Sequence, residues 1–180
     1  MDFEIVSLKS KLDSIGDNEA SLELLREALK LFKCTKNSDE EDFLHNKAID
    51  FEIHNKARTY LLVDNNKVIA YFSLAFKSID LSEVSGELKK DITAGNKSVT
   101  TYSAYLIGHI AKADTVKARL GYALLDSAID LILDAQKIVG GRLVYLDCKN
   151  NEKLISFYSN YGFKHFKTSP FGLEQFYKRI

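Results

Sequence analysis

The stretch from Asn151 to Phe163 constrains the fold of this chain more than any other. It reads Asn-Glu-Lys-Leu-Ile-Ser-Phe-Tyr-Ser-Asn-Tyr-Gly-Phe and follows an apolar run from Leu143 to Leu146. Asn151 suits the cap of a helix, where its side chain accepts from the first free amides. Leu154, Ile155, Phe157, Tyr158 and Tyr161 then form an apolar stripe at helical spacing. Gly162 suits the left-handed residue that ends such a helix, and Phe163 restarts an apolar run. These features describe a helix packed on a sheet. Aromatic stripes usually pack, so spacing alone reads Tyr158 as an ordinary core or surface tyrosine.

With 180 residues, 46% of them hydrophobic, the chain is long enough for a real core and is expected to form one domain over 1–180. Lysine plus arginine equals aspartate plus glutamate at 25 each, so no overall field draws it to nucleic acid or to an anionic membrane. A local basic patch stays compatible with that balance. Met1-Asp2-Phe3-Glu4-Ile5 lacks the basic end and apolar stretch of a secretion signal, and no apolar run approaches a membrane span. A soluble, cytoplasmic protein without a membrane partner is expected. Cys34 and Cys148 are too few and too far apart for a disulfide framework or a zinc site, and buried or half-buried free thiols are the better reading. His45, His54, His109 and His165 have no partner at metal-ligand spacing, so no metal is expected.

Along the chain, Ile5 to Leu8 reads as a short strand, and the polar stretch up to Asn18 as irregular. Leu22, Leu25, Leu29 and Phe32 predict an amphipathic helix from Ser21, closed by a polar turn around Asn37. Ser38 and Glu41 match a capping box ahead of a second helix carrying Phe43, Leu44, Ala48 and Phe51. Arg58 to Val63 and Val68 to Leu74 read as a hairpin around Asp64-Asn65-Asn66-Lys67. Ile79 to Thr101 is polar and predicts a long loop with about one helical turn, a solvated insertion unless it touches substrate. Tyr102 to Ala111 is strand-like. After Asp114-Thr115 a long helix is expected, with Leu120, Leu124, Ala128, Leu131 and Ala135 on one face and an end at Gly140-Gly141. Leu143 to Leu146, Phe163 to Phe166 and Glu174 to Lys178 complete the strands of a mixed α/β chain without repeats.

The junction between the Tyr102 strand and the following helix is the second informative place. A helix start presents unpaired N–H groups and a positive dipole end, which suits a pyrophosphate. The amides of Lys117, Ala118, Arg119, Leu120, Gly121 and Tyr122 are the candidates, with the Lys117 and Arg119 side chains adding charge. An ordinary basic first helical turn accounts for the same residues equally well.

Taken together, these motifs resemble the GNAT acyl-CoA N-acyltransferases. The family's N-x-x-A-x-x-F-Y-x-x-x-G-F pattern lays Asn151 on its asparagine and Tyr158 on the tyrosine beside the thioester sulfur. Its phosphate turn, Q/R-x-x-G-x-G/A, aligns with Val116-Lys117-Ala118-Arg119-Leu120-Gly121, where only the final glycine matches. Phe32-Lys33-Cys34, Asp42-Phe43-Leu44, Thr59-Tyr60-Leu61, Val68 to Leu74 and Tyr105 to Ala111 look like the toxin-type branch, which acetylates the amino group of aminoacyl-tRNA. The resemblance runs from about Phe32 to Phe166. It implies a GNAT fold, a central, mostly antiparallel mixed sheet splayed between its fourth and fifth strands and flanked by helices.

The same resemblance implies acetyl-CoA as cofactor. Ile110, Ala111 and Lys112 would meet the pantetheine arm through their backbone, the 117–122 turn would meet the diphosphate, and Asn151, Phe157 and Tyr158 would complete the site. Tyr158 is the candidate general acid for the departing thiolate, since a phenol keeps its proton at neutral pH. No base announces itself: His109 replaces the usual arginine of the fourth strand and serves either as a base or as a hydrogen-bonded core residue. Glu52 and His54 are weaker candidates on a helix with an exposed face. An amine-bearing acceptor is expected, and an aminoacyl-tRNA acceptor would recruit Lys89, Lys90, Lys97, Lys117 and Arg119 to its phosphates. A non-catalytic acyl-CoA-binding or interaction module is the rival reading, because Arg119 stands where the family has glycine. A second copy of the chain, or an antitoxin, covering the Ser21 or Ser38 helix is a further expectation.

Overall fold

The computed structural model describes residues 3–180; Met1 and Asp2 of the expected unleadered start lie outside the described residues. The strands are β1 (Glu4–Ser7), β2 (Arg58–Asp64), β3 (Lys67–Asp80), β4 (Thr101–Lys112), β5 (Leu143–Lys149), β6 (Lys164–Thr168) and β7 (Leu173–Arg179). The helices are α1 (Leu8–Ile15), α2 (Glu19–Lys30), α3 (Ser38–Asp42), α4 (Ala48–Ile53), α5 (Gly86–Ile92), α6 (Gly121–Val139) and α7 (Glu152–Asn160). The strands form a seven-stranded sheet in the order β1-β2-β3-β4-β5-β7-β6. It is mostly antiparallel, with β4 and β5 parallel. The β4–β5 register covers Tyr105 against Val144 and Leu106 against Tyr145, the parallel step at which the splay was expected.

The residues divide into two compact units, and the chain passes between them within β3, β4 and α6. The first comprises residues up to Ala75 and Gly108–Ala128. Its β2–β3 hairpin turns on Asn65 and Asn66, at φ 48° and 60°, the left-handed pair that a two-residue turn needs and asparagine tolerates. Phe32, Phe43, Leu44, Leu62, Tyr71 and Phe72 fill its core. The second comprises Phe76–Ile107 and Ile129–Ile180. There Ile79, Leu81, Ile92, Leu143, Tyr145 and Tyr177 pack together.

Several expectations are corrected. Leu8–Ile15 is a helix rather than an irregular stretch, capped by Ser7, whose side chain accepts from the Ser10 amide. The Ser38 capping box does not form: Asn37 is the cap residue, and the Glu41 carboxylate instead accepts the Cys34 amide at 2.6 Å. The second helix is not continuous, since α3 and α4 are separated by a π-helical turn at Phe43–Lys47. β3 runs to Asp80, inside the expected loop, and α5 occupies more than one turn of it. The helix expected after Asp114-Thr115 begins only at Gly121.

Candidate acyl-CoA site

The late start of α6 gives the Ala113 to Leu120 segment its shape. Ala113 donates to the Ile69 carbonyl at 2.9 Å, and Asp114 donates to the Lys33 carbonyl at 2.8 Å. The Asp114 carboxylate accepts from the Thr35 amide at 2.8 Å and hydroxyl at 2.7 Å, and these bonds hold its pKa below the usual carboxylate range. Val116 and Leu120 point their side chains into the core. The Lys112 ammonium donates to the carbonyls of Val116 at 2.6 Å and Ala118 at 3.0 Å. A helical run would have used these carbonyls itself, so the lysine and the aspartate together hold the segment open until Leu120 accepts from Leu124.

Lys117 and Arg119 stand exposed on this turn, Ala118 is half-buried, and Tyr122 lies exposed at the start of α6. No acidic residue occupies the first turn of α6. A long helix start with cations ahead of it and no carboxylate in it suits a diphosphate in charge and donor type. Ile110 and Lys112 are half-buried and Ala111 is buried, all near the end of β4.

Beside this strand end lies a polar cluster that sequence reasoning resolved only in part. His109 Nδ1 is 2.8 Å from Glu40 Oε2, and its ring stacks on Phe43 with centroids 3.7 Å apart. The Tyr71 hydroxyl donates to the Glu40 carbonyl at 2.6 Å and to Oε2 at 3.2 Å. Burial and the nearby Glu40 charge push the Tyr71 phenol up, so it remains a donor. His109 therefore has the hydrogen-bond partner that its core reading required, while keeping 30% of its side chain exposed. Glu52, read as lying on an open face, is wholly buried instead, accepting the Thr59 amide at 2.5 Å and Arg58 Nη1 at 3.0 Å. Burial raises its pKa above the usual range. His54 stays exposed and bonded to Asp50. Among the described residues no group of three metal-ligating side chains forms, and no helix is long and apolar enough to cross a membrane.

In the second unit, Asn151 caps α7, its side chain accepting from the amides of Lys153 at 2.9 Å and Leu154 at 3.4 Å. Tyr158 is 5% exposed, packed edge-on against Phe157 and Phe163 and tilted against Phe176. Gly162 ends the helix at φ 95°. Of the basic residues expected to meet phosphates, Lys89 donates to the Ser82 carbonyl. Lys90 lines a depression of about 320 Å³ with Arg142 and Arg179, in which Asp91 pairs with Arg179 at 2.8 Å. Lys97 is exposed.

No protein-family model and no curated protein matches this sequence. Among solved structures the chain is similar to AtaT complexed with acetyl-methionyl-tRNAfMet, with a TM-score of 0.73 and 18% identity over 99% of this chain and 95% of that one. It is similar to AtaTR bound with acetyl-CoA, at 0.69 and 18% over 99% and 93%. It also matches a tyrosine-to-phenylalanine variant of KacT, at 0.66 and 19% over 82% and 85%. At such identities the common property is the fold, which is the GNAT fold.

Proposed function

We propose that this chain is an acetyl-CoA-dependent N-acetyltransferase of the toxin type, residues 1–180 acting as one functional domain on a primary amine. The observation that carries the reading is the likeness to AtaT seen with an acetylated aminoacyl-tRNA, which extends over 99% of the chain. It favours the amino group of an aminoacyl-tRNA as acceptor; an antitoxin as partner and the cytoplasm as the place of work belong to the toxin-type reading.

Bound acetyl-CoA would supply an acyl group activated as a thioester. The backbone of Ile110, Ala111 and Lys112 would hold the pantetheine arm. The turn from Lys117 to Tyr122, with Ala118, Arg119, Leu120 and Gly121 between them, would receive the diphosphate on its amides and two cationic side chains. Asn151 and Phe157 fix α7 so that the Tyr158 hydroxyl can donate its proton to the departing thiolate.

Calorimetry with acetyl-CoA, followed by thiol release on aminoacyl-tRNA and on a panel of free amines, tests this. Turnover is expected, and Tyr158→Phe should lose about ten- to a thousandfold in kcat while acetyl-CoA affinity stays nearly unchanged. Binding without turnover on any acceptor would favour the second reading, a non-catalytic acyl-CoA-binding module, for which Arg119 at a glycine position of the family pattern speaks.

A further inference from the structure

We infer that His109 is the base that takes the proton from the acceptor's ammonium, with Glu40 as its positioning residue. The inference rests on the N-acetyltransferase reading and adds to it a route for the proton. Three observations carry it. Glu40 Oε2 engages Nδ1 at 2.8 Å, which fixes the tautomer with hydrogen on Nδ1 and leaves the Nε2 lone pair directed away from the carboxylate. No described residue bonds Nε2, and 30% of the side chain is open to solvent. The geometry is also braced from every side: Phe43 stacks on the ring, Tyr71 holds Glu40 by two bonds, and the His109 amide donates to Ser73 Oγ at 3.0 Å.

The helical side of this arrangement is built irregularly. Glu40 lies on α3, and Phe43 opens the π-helical turn at Phe43–Lys47. A π turn rotates the residues after it relative to an α-helix and recurs at functional sites. The buried Phe43 ring contacts both Tyr71 and His109, so the turn serves the cluster directly. A histidine kept only for packing would not need a carboxylate, a phenol and a stacked ring arranged so that one ring nitrogen stays unpartnered among the described residues.

The reaction converts an ammonium and a thioester into an amide, a thiol and one free proton. The first proton passes from the acceptor's ammonium to Nε2 and then to water, and the neutral nitrogen forms the C–N bond. As the C–S bond breaks, the electron pair leaves on sulfur, and the second nitrogen proton balances the one the thiolate acquires. The titratable groups facing His109 are Glu40 from α3 and, through Glu40, Tyr71 from β3; Cys34 is the further titratable group near Tyr71, and Phe43 is apolar.

The test compares wild type, His109→Gln and Glu40→Gln with one amine acceptor across the pH range, alongside acetyl-CoA calorimetry and imidazole nitrogen NMR of the free protein. Expected are an Nδ1–H tautomer in the free wild type and a loss of about a hundredfold in kcat/KM for His109→Gln at neutral pH. That loss should shrink as rising pH deprotonates the amine, with acetyl-CoA affinity unchanged. Glu40→Gln should lose less in kcat/KM and weaken the preference for the Nδ1–H tautomer in the nitrogen NMR spectrum, because the carboxylate that engages Nδ1 is gone. An Nε2–H tautomer, or His109→Gln activity within threefold of wild type at every pH, overturns the inference and leaves the enzyme reading standing. A wild type that turns over no acceptor overturns both.

Discussion

The Lys112 ammonium donates to the Val116 carbonyl at 2.6 Å, tying the end of β4 to the turn that precedes α6. The second bond, to the Ala118 carbonyl, makes this one side chain hold both the residue just before the proposed diphosphate turn and one within it. Lys112→Met keeps the apolar stem and removes both donors. It should weaken acetyl-CoA binding roughly tenfold, equivalent to about 1.4 kcal/mol. Calorimetry checks this, with Lys117→Met as the companion that removes a charge but leaves both Lys112 bonds in place.

Gly162 ends α7 at φ 95°, and a Cβ there would stand 2.8 Å from Lys178 Nζ. The lysine tip can swing away, giving up its bond to the Tyr161 carbonyl, but the backbone angle remains. Gly162→Ala should cost about 1 to 2 kcal/mol of stability. The midpoint of urea unfolding measures it, and Gly162→Asn should cost less because asparagine tolerates the left-handed region.

Glu174 accepts from His165 at 2.6 Å and Thr168 at 3.0 Å, and these bonds depress its pKa, the histidine first. A depressed carboxylate pKa stabilises the fold above the unfolded value of about 4.3 and loses that contribution as pH falls through the folded value. Glu174→Gln should therefore flatten the acid side of a melting-temperature profile. A variant curve parallel to wild type through that window would contradict the assignment.

Burial pushes the Cys148 thiol up to about 11, with Glu174 and Asp147 adding to the shift, and burial also raises Cys34. The thiolate is the reactive form. Neither cysteine should react with iodoacetamide in the folded protein near neutral pH, and both should react once denaturant is added. Mass spectrometry of labelled peptides reads the two positions separately.

The elements legible in advance were those whose cause lies within a few residues. Asn65-Asn66 supplied the turn geometry, and Asn151 supplied a cap for amides two and three positions on. The readings that failed involved groups with a competing distant partner. Glu41 had the spacing to cap its own helix but bonds the Cys34 amide. Lys117-Ala118-Arg119-Leu120 is good helical sequence, yet Lys112 and Asp114 tie the preceding backbone to β4 and to Lys33 and Thr35. Leu8–Ile15 was too polar to declare itself, with Leu8 its one buried residue.

What the sequence by itself determined is the succession of strands, caps and turns, together with the motif residues that resemble the acyltransferases, because capping, chirality and apolar period act over one or two turns of chain. Only the tertiary structure decided that His109 would meet Glu40, 69 positions away, and that Glu52 would be buried whole. A side chain's spacing states which bonds it can make; which it does make depends on the groups the sheet and helices bring within about 3 Å of it.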